Sequence, residues 1–181
     1  MAHPEFTLLG DAVWLDFINS AFGRTPDPPD LLPDADAFVR WALAQRLLQL
    51  DRPPSYEAVR ELRARLTALA AALHADLQPP VGAIAAINDL LAGCAGSHRL
   101  VRVSGEWRLQ FAPARPLSPL EAIARSAAAT LADRSLVVRR CAGETCSLFF
   151  ADGTATRSRR WCMPAACGAN LRVERRRGIR R

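Results

Sequence analysis

Four cysteines near the carboxyl end constrain the fold of this chain of 181 residues more than any other feature. Cys141 and Cys146 form one Cys-x4-Cys pair, and Cys162 and Cys167 form a second pair after fifteen intervening residues. A tight turn lets each pair present two thiolates to one ion, and two pairs complete the tetrahedral shell of Zn²⁺. Because four protein ligands leave no position for water, the spacing predicts one structural zinc ion rather than a catalytic metal.

The same four cysteines could instead form two disulfides. The chain begins with Met-Ala-His-Pro-Glu-Phe, which lacks the basic and then apolar pattern of a secretion signal. We therefore expect a cytoplasmic protein with reduced thiols, and zinc is the favoured alternative. The fifth cysteine, Cys94, stands alone beside an apolar segment, where a cysteine is usually a small packed side chain.

Positive charge is concentrated around the four cysteines. Residues 1–133 carry 12 arginines and 15 carboxylates, whereas residues 134–181 carry 12 arginines and 3 carboxylates, a net charge of +9. Such a charge makes a polyanion the first partner to consider. Charges and prolines interrupt every apolar run before it could span a bilayer, so we expect a soluble protein without a membrane partner.

The amino-terminal part of the chain has helical periodicity. One helix face within residues 8–22 is formed by Trp14, Phe17, Ile18, Ala21 and Phe22. Asp16 and Asn19 lie off this face, and we expect them to be a solvated or capping pair; the alternative is that they anchor a ligand.

The same period predicts four further helices or helix-like segments before the cysteines. One runs from Ala35 to Leu48 with Asp34 as its N-cap, and a longer one follows Ser55. The apolar seam of the longer helix contains Val59, Leu62, Leu66, Leu69 and Leu73. A shorter helix extends to Gly93, and a capping box at Ser118 starts the last one, which runs to about Asp133.

Alternating residues between the last two helices predict a β-hairpin that turns at Ser104 and Gly105. We expect this hairpin to cover one side of the helical core. A short strand over residues 136–140 then leads into the first cysteine pair. The sequence thus predicts an α+β fold that is mainly α, with a helical domain and hairpin over residues 1–134 and a small zinc finger of short strands and a zinc-pinned helix over residues 135–181.

The finger contains the candidate nucleic-acid contacts. Pro164 suits the first turn of a helix that would include Cys167 and run to about Arg177. The predicted contacts lie in the connector between the cysteine pairs and along this helix: Arg157, Arg159, Arg160, Arg172, Arg175, Arg176 and Arg177. We expect Trp161 and Phe149 or Phe150 to pack around the metal rather than to stack on bases.

With these motifs in place, the chain resembles the bacterial CGNR zinc-finger proteins, in which an ABATE domain precedes a four-cysteine finger. The segment from Trp14 to Ser20 is similar to the family signature Leu-Asp-Phe-x-Asn-Thr, and a later helix contains Trp41. In the finger, the matching residues are Arg140-Cys141, Cys146, the strand from Leu148 to Asp152, Arg159-Arg160-Trp161-Cys162-Met163 and Cys167-Gly168.

Three positions differ from the family pattern. The family name describes Cys-Gly-Asn-Arg, whereas this chain has Cys167-Gly168-Ala169-Asn170, and Thr154 stands where the family has a serine. The resemblance implies a transcription regulator.

The leading hypothesis is therefore a DNA-binding transcription regulator whose helical domain dimerises or senses a small-molecule effector. The alternatives are a zinc-stabilised protein-interaction module and an RNA-binding module. We do not expect an enzyme, because the three histidines (His3, His74 and His98) lie in no motif with a nucleophile.

Overall fold

Five α-helices, two two-stranded sheets and a π-helical turn form the part of the chain that the computed structural model describes, residues 5–47 and 53–168. In chain order these elements are α1 (Val13–Asn19), α2 (Ala35–Ala44), α3 (Tyr56–His74), α4 (Val81–Ala92), β1 (Gly96–Val103), β2 (Glu106–Pro113), α5 (Pro119–Ala132), β3 (Val137–Arg140), β4 (Phe149–Asp152) and the turn Pro164–Gly168. The predicted α+β class with mainly helical content is confirmed.

The short helix α1 is the centre of the core. Trp14, Leu15, Phe17 and Ile18 are completely buried, although Leu15 lies outside the predicted apolar face. The helix contacts α3, α5 and β4, so its side chains must be apolar or have their polar groups bonded within the protein.

Helix α1 is shorter than the predicted span of residues 8–22 because the residues before it form hydrogen bonds outside the helix. The Gly10 carbonyl accepts a hydrogen bond from Ala151 N of β4 at 2.9 Å. Gly10 N in turn donates to the Asp16 carboxylate at 2.7 Å. The segment before α1 is thus bonded to the finger instead of extending the helix.

The predicted cap of α2 is confirmed, and α3 also begins with a side-chain cap. Asp34 accepts from Ala37 N at the start of α2, and Ser55 accepts from Ala58 N at the start of α3. Helix α2 ends at Ala44 rather than at Leu48, because the next turn closes with Arg46 at a φ of 60°. Leu48 itself lies outside the described residues.

The capping box of α5 is also present. Ser118 and Glu121 exchange hydrogen bonds between their side chains and backbone N–H groups. Arg115 adds two hydrogen bonds to the Glu121 carboxylate, at 2.6 and 2.8 Å. The cap determines where α5 begins, and packing on α1 and α4 determines which face of the helix is buried.

The hairpin of β1 and β2 forms in the predicted register, with Ser104 and Gly105 in the left-handed conformation that a two-residue turn requires. The prediction that it covers the helical core is wrong for its outer half. Leu100, Trp107 and Leu109 are 67%, 67% and 68% exposed. Contact with α5 occurs near the base of the hairpin, where the Arg125 guanidinium lies 5.6 Å from the centre of the Phe111 ring.

Strand β4 belongs to two cores at once. It pairs with β3 in an antiparallel sheet, and adjacent residues of a strand point to opposite faces. Phe149 packs into the helical core and meets Phe22 edge-to-face, whereas Phe150 packs against the four cysteines. The finger and the helical part therefore share one strand rather than a flexible linker.

The expectation that Asp16 and Asn19 are solvated is wrong. Asn19 is completely buried; its amide donates to Phe149 O at 2.8 Å and accepts from Phe149 N at 2.9 Å. Asp16 is 8% exposed and accepts a second hydrogen bond from Gln45 at 3.0 Å. Burial raises the pKa of the Asp16 carboxyl above its usual value, although these hydrogen bonds oppose the shift. A ligand role for either residue stays a prediction.

None of the helices in residues 5–47 and 53–168 combines the length and the apolar character that crossing a bilayer requires.

Replacing Asn19 by Ala is expected to destabilise the protein by about 2–4 kcal/mol, because both Phe149 backbone groups would lose their partner in a buried site. Urea unfolding of the zinc-loaded protein measures this difference. Asn88, an exposed asparagine within α4, provides the matched control, and its replacement by Ala is expected to change stability by less than about 0.5 kcal/mol. Equal effects of the two replacements would contradict a role for Asn19 in joining the finger to α1.

Candidate metal centre

The four predicted ligands Cys141, Cys146, Cys162 and Cys167 converge on one point. Their sulfur atoms all lie within 4.8 Å of one another, and all four residues are buried. Cys162 Sγ is 3.8 Å from Cys146 Sγ and 3.7 Å from Cys167 Sγ. Zn–S bonds of about 2.3 Å in a tetrahedron place sulfur atoms about 3.8 Å apart, so the cluster fits Zn²⁺. The disulfide alternative does not hold, since all four thiols are free.

Backbone turns present the first pair of thiols. Cys141 directly follows β3, and its N–H donates to Leu148 O at 2.8 Å, which holds it next to the start of β4. A turn then brings Cys146 N to Gly143 O at 3.0 Å. A Cβ at Gly143 would lie 3.1 and 3.2 Å from the Cβ atoms of Cys146 and Cys167, so the turn has little room for a side chain.

The second pair is presented by the turn that starts at Pro164. Cys167 N donates to Met163 O at 2.9 Å, and the turn has π-helical rather than α-helical geometry. The prediction that Pro164 begins a helical turn containing Cys167 is confirmed. The predicted continuation of that helix to Arg177 lies outside the described residues.

The pKa values of the thiols explain why a cation would stabilise this cluster. Burial raises the pKa of the Cys146 thiol to about 12 and raises the pKa of Cys162 further. Burial also opposes ionisation of Cys141, but N–H groups of Cys162 and Gly143 bring its pKa below the usual value. Four thiolates confined within 4.8 Å repel one another, and a bound divalent ion removes that obstacle.

An apolar wall surrounds the cysteines. Leu148 and Phe150 are completely buried against them, with Trp161 and Met163 partly buried alongside. A Cβ at Gly168 would lie 3.3 Å from the Trp161 ring, so the ring also packs closely on the backbone after Cys167. This packing matches the expectation that the aromatic residues surround the metal. Cys94 lies apart, at the end of α4, where its thiol contacts Leu90 O at 3.5 Å.

The guanidinium of Arg159 makes its described contacts within the protein, and the predicted contact of Arg159 with nucleic acid stays a prediction. Its guanidinium donates to Trp161 O at 2.9 Å and also to Cys162 O and Asp11. The same group stacks over the Phe150 ring, with 4.5 Å between Cζ and the ring centre. Arg159 therefore holds the backbone of a metal ligand and links it to the segment before α1.

Asp152 is a buried structural residue of the finger to which the sequence assigned no role. Its carboxylate is fully buried at the end of β4 and accepts from Thr154 N and Oγ1, from Arg139 Nε and from Arg159 N, at 2.7 to 3.0 Å. Burial alone would raise the pKa of this carboxyl, but the hydrogen bonds lower it overall. The signal was present in the sequence, because an acidic residue inside an apolar strand needs several donors.

The remaining predicted contacts fall into two groups. Arg157 and Arg160 are exposed in the connector; Arg157 donates to Arg134 O, and Arg160 lies over the Trp161 ring. The residues Arg172, Arg175, Arg176 and Arg177 lie outside the described residues. Arg140, at the end of β3, is an additional exposed arginine beside the metal site.

Two protein-family models match the chain. Residues 11–134 match the ABATE model, described as "putative stress-induced transcription regulator", and residues 138–180 match the CGNR zinc finger. Neither model describes an enzyme family. None of the curated proteins compared with the chain matches it. Together with the cluster of four buried thiols, the zinc-finger match assigns one structural Zn²⁺ to Cys141, Cys146, Cys162 and Cys167.

Replacing Arg159 by Ala is expected to weaken zinc binding about tenfold to a hundredfold, because residues that orient metal ligands usually contribute this much. Competition with a chromophoric chelator measures the affinity. The neighbouring Arg160, exposed and without contact to a ligand carbonyl among the described residues, is the matched control, and its replacement by Ala should change the affinity less than about threefold. Similar losses in both variants would indicate a general charge effect rather than support of Cys162.

Proposed function

The chain belongs to the ABATE family and carries a CGNR zinc finger after the ABATE domain, and we propose that it is a transcription regulator whose finger binds DNA. The observation that carries this proposal is a group of exposed arginines, Arg140, Arg157 and Arg160, beside a closed metal site. Among the described residues, none of the three has a carboxylate within ion-pair distance, whereas Arg139 and Arg159 do. Their charges remain available to phosphates.

The metal contributes structure to this surface rather than chemistry. Four thiolates saturate the tetrahedral shell, so the site has no coordination position for a substrate. Zinc instead fixes the backbone on both sides of the connector that contains Arg157 and Arg160. A rigid support of this kind lowers the entropic cost of aligning arginines with a nucleic-acid backbone.

We propose that the carboxyl-terminal arginines also contact DNA. Arg172, Arg175, Arg176 and Arg177 follow Cys167 in the sequence, with a single acidic residue between them. The net charge of +9 after residue 133 favours a polyanionic partner for this region as a whole.

We propose that the helical domain dimerises or responds to a small molecule. A ligand that reaches Asp16 or Asn19 must displace hydrogen bonds within the chain, because Gly10, Gln45 and Phe149 already occupy them. Since Asn19 bonds the backbone of β4, such a ligand would act directly on the strand that packs against the cysteines. This connection gives the helical domain a physical route to the finger.

The salt dependence of binding to duplex DNA tests the proposal. Replacing Arg157 and Arg160 by Ala together is expected to reduce the slope of log affinity against log salt by about 1.8, because each lost phosphate contact removes about 0.9. Fluorescence anisotropy with one labelled duplex, measured at several salt concentrations, gives the slope.

Arg40 and Arg60 provide a control with the same change of net charge. Both are exposed on the helical domain, and both lie within 4 Å of a glutamate. Their double replacement by Ala should leave the slope unchanged to within about 0.3. An unchanged slope for the connector variant, or equal changes in both variants, would contradict a DNA contact at the connector. Tighter binding of structured RNA than of duplex at equal salt would favour the RNA-binding alternative.

A further inference from the structure

The hairpin of β1 and β2 carries a mostly apolar face whose outer part is exposed in the described structure, and only its inner end, at Phe111, meets Arg125 of α5. Side chains at alternating positions share a face, and the register pairs them across the two strands. The face consists of three cross-strand pairs: His98 with Phe111, Leu100 with Leu109, and Arg102 with Trp107. We call these six side chains the ladder face.

The exposure of the ladder face is unusual for a protein surface. Leu100, Trp107 and Leu109 are each about two-thirds exposed and lie side by side, so together they present roughly 400 Å² of mostly apolar surface. A patch of this size is typical of interaction sites rather than of scattered surface residues. A two-stranded ribbon is also marginally stable by itself, which makes a packing partner for its apolar face more favourable.

We propose that the ladder face is a dimer interface, and that its partner is the ladder face of a second copy of this chain. A two-fold axis along the central pair would place Leu100 and Leu109 against their own counterparts. It would also bring Trp107 of each copy over Phe111 of the other, an aromatic pair. The apolar strip is therefore complementary to itself, as the interface of a symmetric dimer must be.

The area of the face fits a weak but specific dimer. Each strand has eight residues and spans about 26 Å, and two such ribbons packed face to face bury about 1,000 Å² in all. This is near the lower limit for a specific interface, so we expect a dissociation constant in the micromolar range.

Charge argues against two other partners. The segment 169–181 contains six arginines and one carboxylate, and it would bring like charge towards Arg102 of the ladder face. DNA would require several cations, whereas Arg102 is the one arginine on this face and its Nε already donates to Gly105 O. Leu100, Leu109 and Trp107 carry no charge that would compensate phosphate groups for the loss of their bound water.

The position of the hairpin is compatible with DNA binding by the finger. The hairpin joins α5 near Pro119, whereas the finger follows the other end of this 14-residue helix, about 21 Å away. The hairpin and the finger thus join the helical domain at opposite ends of α5. The dimer would present two fingers to DNA, and this role alone rests on the proposed function. The interface itself does not depend on DNA binding.

Sedimentation velocity of the full, zinc-loaded chain between about 1 and about 100 µM tests the proposal without DNA. The wild-type protein should change from monomer to dimer across this range. Replacing Leu100 and Leu109 by Ser together should weaken dimerisation at least a hundredfold, because each leucine contributes about a factor of ten. Trp107→Arg, a single change at the outer end of the face, should weaken it at least tenfold.

The matched control replaces Leu77 and Val81 by Ser. Both are exposed apolar residues, 64% and 85% exposed, and neither belongs to the hairpin. This variant should dimerise like the wild type.

A monomeric wild type at about 100 µM, or ladder-face variants that dimerise as tightly as the control, would overturn the proposal. Ladder-face variants that lose DNA affinity but dimerise like the wild type would also overturn the proposal, because the hairpin would then be a DNA contact. A DNA-binding failure in the wild type would leave the dimer result intact and would count against the proposed function alone.

Discussion

The structure depends on the way strand β4 is shared between two cores. Phe149 packs into the helical core and Phe150 packs against the cysteines, and the buried Asn19 amide holds the backbone of the strand by two hydrogen bonds. Neither half of the chain can move past the other without exposing an aromatic ring and separating buried polar groups. The metal site and α1 are therefore parts of one packed unit, although they are about 120 residues apart in the sequence.

This arrangement also determines which charges are available for function. Arg159 and Arg139 use their guanidinium groups inside the protein, on ligand carbonyls and on the buried Asp152 carboxylate. Arg157 and Arg160 remain exposed. A charge count along the sequence cannot separate these two groups, because adjacent residues of the connector have opposite environments. Within the connector, the proposed DNA contact therefore rests on Arg157 and Arg160, and a contact by Arg159 stays a prediction.

The sequence predicted the features that depend on local chemistry. The cysteine spacing identified the ligands, and the caps at Asp34 and Ser118 identified the starts of two helices. Features that depend on contacts between distant segments were not predictable in the same way. The polar residues of α1 looked like surface residues because their partners lie on β4 and after α2. The alternation of the hairpin identified its strands correctly, but a two-residue period does not show whether the apolar face packs on the same molecule.

The central claim is that zinc, through β4, stabilises the helical domain as well as the finger. If the two parts were independent instead, chelation would unfold the finger and leave the helices folded. The described α-helices all precede the finger, so circular dichroism at 222 nm reports mainly on the helical domain. Thermal unfolding followed at this wavelength, with zinc bound and after chelation, tests the claim most directly. One helical transition should move to a clearly lower temperature when zinc is removed. A helical transition at the same temperature in both states would show that zinc stabilises the finger alone.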